Sequence, residues 1–233
     1  MLEPMRRLAW VSLLGWLSVS LPAVLAAAGL ETLSSKDAAA GLKAALSQGV
    51  DKAVAQLGAA NGFLGNPRVT IPLPGGLEKA DSALRMFGMG GEADALKASM
   101  NHAAEAAVRE SAPVLKQALQ RMTLQDAKGI LAGGETSATD YFRRVSSAEL
   151  KTKFRPIVAR ATEHVRLAAL YDQYAGKAAE LGLISGANAD LNEYVTGKTL
   201  DGLFTVIADE ERAIRKDPLG QASSLIKKVF GSL

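Results

Sequence analysis

Residues 190–218 read DLNEYVTGKTLDGLFTVIADEERAIRKDP, the longest segment in which apolar periodicity, aromatic residues and alternating charge coincide. From Thr199 onward, Leu200, Leu203, Phe204, Ile207, Ala208 and Ile214 share one face at roughly 100° per residue. That spacing predicts a helix with a buried stripe. Glu211 projects from the middle of the stripe, where leucine or alanine is expected. Arg215 follows four residues later, in the favourable acid-first order. Such a carboxylate is either half of a structural ion pair covered by a neighbouring helix or a group held in a pocket. Upstream, Asp190 is expected to begin a helix through Tyr194, with a kink at Thr196, Gly197 and Lys198. Asp217 and Pro218 end the stretch.

The remainder of the chain reads as alanine-rich helix. With 233 residues it is long enough for one domain with a substantial core. Aromatics are scarce and alternating β-branched runs are few, which argues against a sheet. The 27 basic and 24 acidic side chains are interspersed without a polybasic run, so nucleic-acid binding is not expected. The absence of cysteine excludes disulfides, thiolate metal sites, cysteine nucleophiles and lipid attachment at cysteine.

Residues 1–28 have the pattern of a signal peptide. Arg6 and Arg7 precede the apolar run LAWVSLLGWLSVSL at 8–21, which is shorter than the roughly 20 residues of a spanning helix. Pro22 breaks the run, and cleavage is expected after Ala26 or Ala28. Both tryptophans, Trp10 and Trp16, would leave with it. A periplasmic protein is therefore expected, with no stable membrane insertion after cleavage; the alternative is an inner-membrane protein anchored by an uncleaved signal.

Residues 29–233 read as one helical domain. A helix is expected from Ser34 or Ser35 to about Leu57, with Leu42, Ala45, Leu46, Val50, Ala53, Val54 and Leu57 on one face. The cluster NGFLGNP at 61–67 marks a turn, and 67–74 is an extended, proline-punctuated segment. A short helix over 76–87 ends at Gly88. No strand precedes the glycines that follow and no Gly-Lys-Ser/Thr comes after them, so they do not form a phosphate loop. A long helix is expected over 92–121, rich in small residues that admit a close neighbour and kinked at Pro113. Thr123 caps a helix over 124–131, with Asp126 at the capping-box position. Separate helices are expected over 136–145 and 148–154, capped by Ser146 or Ser147, with a break at Arg155 before Pro156 and a long helix to about Leu181. An amphipathic helix over 224–230 closes the chain. The architecture expected is all-α, a single multi-helix bundle.

Catalytic motifs are missing. His102 and Glu105 are three apart on a helix, but a di-metal bundle uses Glu-x-x-His twice, and that order never occurs here. No metal or other cofactor is expected, and His102 projects away from the apolar stripe. There is no Gly-x-Ser-x-Gly elbow. The polar residues in unusual places are Asn101, Glu105, Glu211 and Arg215, which are expected to form a buried polar network or a ligand site.

Several phrases, in order, resemble a bacterial family, the domain of unknown function 4197. They are GLKAAL at 41–46, NGF at 61–63, IPLP at 71–74, MNHAAE at 100–105, DAKGIL at 126–131, ATDYF at 138–142, FRPIV at 154–158, residues 190–215, and KKVF at 227–230. The resemblance spans about 35–231. It implies an exported helical protein, mostly of Gram-negative bacteria, and no established activity. The family pattern usually has arginine where this chain has His102.

The functional expectation is a non-enzymatic envelope protein that binds a partner protein or small ligand. The competing expectation is a hydrolase or lyase using Glu105 and Glu211, with Arg215 orienting the substrate.

Overall fold

In the computed structural model, residues 35–164, 167–184 and 190–217 are described. They form eight helices: α1 Ser35–Gly58, α2 Leu77–Met86, α3 Gly90–Val108, α4 Ser111–Arg121, α5 Leu124–Ala132, α6 Ser137–His164, α7 Leu167–Glu180 and α8 Leu191–Lys216. There is no strand among the described residues, so the chain is an all-α bundle. None of these helices is long and apolar enough to cross a membrane. The signal segment 1–28 and the helix expected over 224–230 lie outside the described residues.

Helix α8 packs against α6, α1 and α3 at once, which is why its stripe is wide. The Asp190 side chain accepts from the Glu193 amide at its start. The kink expected at 196–198 is absent. Thr196 and Thr199 are buried, and Thr199 bonds back to the Val195 carbonyl. Burial on several sides outweighs the weak helix propensity of Thr-Gly-Lys-Thr.

Two other helices differ from expectation. The helix expected over 92–121 is two helices, α3 and α4, separated at Arg109 and Glu110. Pro113 then lies in the first turn of α4, where an amide hydrogen is not needed. Ser111 donates to the Val108 carbonyl at 2.6 Å, and Arg109 donates to the last carbonyl of α1, Gly58, at 2.7 Å. Conversely, the three pieces expected between 136 and 164 are one helix, α6. Ala138, Phe142, Ser146, Leu150, Phe154, Val158 and Thr162 are all buried at intervals of four. That unbroken face holds the helix through Pro156, and Ser146 and Ser147 bond back to the carbonyls of Phe142 and Arg143 instead of capping. The capping box of α5 forms as expected, and the Thr123 hydroxyl and amide hold the Asp126 carboxyl below its ordinary range.

Tyr174 of α7 is fully buried and donates to Asp81 of α2 at 2.7 Å. Burial, then the adjoining carboxylate, pushes its phenol up.

Between α1 and α2 the chain is irregular yet well packed. Asn61 has φ 61°, a left-handed conformation that asparagine tolerates. Phe63, Val69, Ile71 and Leu73 are buried. The Phe63 ring lies against Gly202 of α8: a Cβ there would sit 2.6 Å from Cε1 of Phe63 and 3.3 Å from Cβ of Val69. Gly202→Ala is therefore expected to destabilise the fold by about 1–3 kcal/mol through overpacking. Gly129→Ala, in α5 with open space around it, is expected to be neutral or slightly stabilising. Urea unfolding of the two variants checks the contrast.

Candidate functional site

Asn101 and Glu105 lie one turn apart on α3, both buried, and both face the irregular segment. The Asn101 amide pairs with Ile71 in both directions. Its Oδ1 accepts from the Ile71 amide at 2.8 Å, and its Nδ2 donates to the Ile71 carbonyl at 3.0 Å. The same Nδ2 also donates to Lys97 of its own helix. The extended residues 70–74 have no strand beside them; a side chain takes the place of the neighbouring backbone. Glu105 does the same for the turn before it. Its Oε1 accepts from the amides of Phe63 and Leu64 at 3.1 and 3.4 Å.

The other Glu105 oxygen meets Nδ1 of His102 at 2.9 Å. A carboxylate only accepts, so this contact assigns the Nδ1 hydrogen to the bond and leaves Nε2 outside it. The His102 side chain is 53% exposed and lines a surface groove described below.

Glu211 and Arg215 form a second cluster. Glu211 is 3% exposed. Its Oε1 accepts from the Ala138 amide at 2.9 Å and from Nε and Nη2 of Arg215 at 3.1 and 3.0 Å. Its Oε2 accepts from the Thr139 amide and hydroxyl at 2.9 and 2.8 Å. Ala138 and Thr139 begin α6, so a carboxylate from α8 caps a helix more than seventy positions away. Arg215 Nη2 also donates to the Ile130 carbonyl, in the last turn of α5, at 2.8 Å. The pair thus places an anion at the start of one helix and a cation at the end of another, matching both dipoles.

The four residues expected in one network occupy two places. Asn101 and Glu105 bond to Ile71, Lys97, Phe63, Leu64 and His102, whereas Glu211 bonds to Ala138, Thr139 and Arg215. Gly202 marks the level of Phe63 on α8, and Glu211 lies nine residues on, about 13 Å along the axis. Both carboxylates are saturated with fixed donors, an arrangement that ties backbone in place.

The accessible concave surface is elsewhere. Helices α3 and α6 run antiparallel and leave a groove between them. One section, of about 690 Å³, is lined by Ala95, Ala98, Ser99, His102, Ala103, Ile157, Arg160 and Ala161. The next, of about 600 Å³, shares Ile157 and Arg160 and adds Ala106, Glu110, Thr152, Lys153 and Pro156. The first section is mostly apolar and the second mixed. Arg160 and Lys153 are exposed and make no ion pair among the described residues. No cluster of three or more histidine, cysteine, aspartate or glutamate residues suited to a metal occurs among the described residues. Arg160, Lys153 and Ser99 were not among the sequence candidates. Their signal was the run of small residues on the outward side of α3, where charged residues are ordinary.

The family model described as protein of unknown function (DUF4197) matches residues 32–231. No curated protein and no solved structure matches the chain.

Proposed function

Since this chain belongs to the DUF4197 family, which carries no assigned activity, we propose its role from its own surface: a non-enzymatic binding protein of the cell envelope that receives its partner or ligand in the groove between α3 and α6. The observation that carries this reading is the division of polar groups. The buried carboxylates are committed to backbone amides, while the groove keeps an apolar floor beside two cations that make no ion pair among the described residues. Export rests on the leader-like residues 1–28 and places the protein in the periplasm.

Ala98 faces the groove and is only partly buried, so Ala98→Arg fills the groove and leaves the core intact. The exported protein is expected in osmotic-shock fluid, processed after Ala26 or Ala28. Cross-linking there is expected to yield an adduct through α3 or α6 with the natural chain and none with Ala98→Arg. Equal adducts from both would sink the groove reading, and retention in the cytoplasm would sink the export reading.

A further inference from the structure

We infer that the occupant of the α3–α6 groove is an acidic amphipathic helix supplied by another protein, an inference that rests on the groove reading above. Three observations lead to it.

The first is shape. The groove runs along α3 from Ala95 to Ala106, about 16 Å or three helical turns. Two cavities lie end to end and share Ile157 and Arg160. The groove is open along its length, whereas a site for a small molecule encloses most of its ligand. A straight trough between two antiparallel helices is the form that receives a third helix.

The second is the floor. On the α3 side it is built from Ala95, Ala98, Ser99, Ala103 and Ala106, and on the α6 side from Ile157 and Ala161. Small side chains let a helix backbone approach to about 8–10 Å between axes. One larger apolar side chain, Ile157, stands where the two sections meet and offers a contact to leucine or alanine on the incoming face.

The third is charge. Lys153 and Arg160 flank the trough from α6, seven residues apart, with no ion pair among the described residues. Two turns of helix separate them by about 10 Å, so a helix lying alongside meets both with carboxylates seven residues apart. Burying either cation beneath an uncharged partner would cost desolvation with nothing in return. His102, whose Nδ1 is held by Glu105, lines the same trough. Glu110 stands at the far end of the mixed section, so a basic or neutral residue suits that end of the incoming helix.

The test is nitrogen-15 NMR of the processed chain titrated with an 18-residue amphipathic peptide. The peptide carries glutamates seven apart beside an alanine–leucine face. Its control has lysine at each glutamate, and dodecanoate is titrated separately. The acidic peptide is expected to shift amide resonances of residues 95–106 and 152–161, and Lys153→Glu with Arg160→Glu to weaken it by about tenfold or more. The same double variant is expected to gain affinity for the lysine peptide. Both side chains are exposed and make no ion pair among the described residues, so the variant keeps its fold. Equal binding of both peptides, or no shift at about 1 mM peptide, would overturn the inference. Dodecanoate shifting these residues when neither peptide does would also overturn it, in favour of a fatty-chain ligand, and would leave the groove reading standing.

Discussion

Glu211→Ala is expected to lower the unfolding free energy by about 3–5 kcal/mol, the range for breaking one side of a buried ion pair. For a domain of this size that is a fall in melting temperature of roughly 10 °C. The cost has three sources. The Ala138 and Thr139 amides at the start of α6 lose their acceptor, and a helix start buried without an acceptor is unfavourable. Arg215, only 16% exposed, loses the charge of Glu211. The α5–α6 corner loses the pair that joins the Ile130 carbonyl to the α6 amides. Arg215→Ala is expected to cost less, because Glu211 keeps the α6 amides and the Thr139 hydroxyl. The double variant Glu211→Leu with Arg215→Leu removes both charges together and recovers the ion-pair part. The orphaned amides remain, so it is expected to stay destabilised by roughly 2 kcal/mol. Urea unfolding of the natural chain and the three variants measures these differences. A Glu211→Ala cost below about 1 kcal/mol would mean that α6 does not depend on this carboxylate.

The position of Glu211 within an apolar stripe was legible in residues 190–218, and so was its pairing with Arg215 four residues on. Its remote partners were not. A backbone amide has no side-chain signature, so nothing in the sequence of Ala138 or Thr139 announces that a carboxylate caps them. The same holds for Asn101 and Ile71, which are thirty positions apart. The helical class followed from alanine content and period, and the Thr123–Asp126 box from local chemistry alone. The helix boundaries that failed depended on competition between local and long-range terms. At Ser146, Ser147 and Pro156 the local signals for interruption were real, yet buried residues at intervals of four kept α6 continuous. At Arg109 and Glu110 the apolar period ran on, yet the chain turned, with Pro113 seated where its missing hydrogen costs nothing. The groove was half legible: small residues in the middle of the 92–121 stretch suggested a close neighbour. Only the packing separates the face of α3 that meets the core from the face that remains open.

Asn101→Ala is expected to cost about 2–4 kcal/mol, since it leaves both the amide and the carbonyl of a buried Ile71 without partners. The loss should be local before it is global. Amide exchange at Ile71 is expected to rise most, because its hydrogen bond is the one removed. Phe63 and Leu64, held by Glu105, should change less. Glu105→Ala is expected to reverse that order. Asn101→Asp is the sharper variant. It keeps an acceptor for the Ile71 amide but turns an oxygen toward the carbonyls of Ile71 and Lys97, where the amide nitrogen now donates, so it should be no milder than alanine. Arg68→Ala offers the contrast. Arg68 holds the same segment to Asp209 of α8 through two hydrogen bonds, but its side chain is 61% exposed, and its loss is expected to cost under about 1 kcal/mol. Hydrogen exchange read residue by residue separates these variants. If Asn101→Ala left Ile71 exchange unchanged, the segment would be held by its buried side chains alone. The paired bonds of Asn101 argue otherwise, because residues 71–73 have no strand beside them and their backbone finds its partners in the side chains of Asn101, Glu78 and Tyr194.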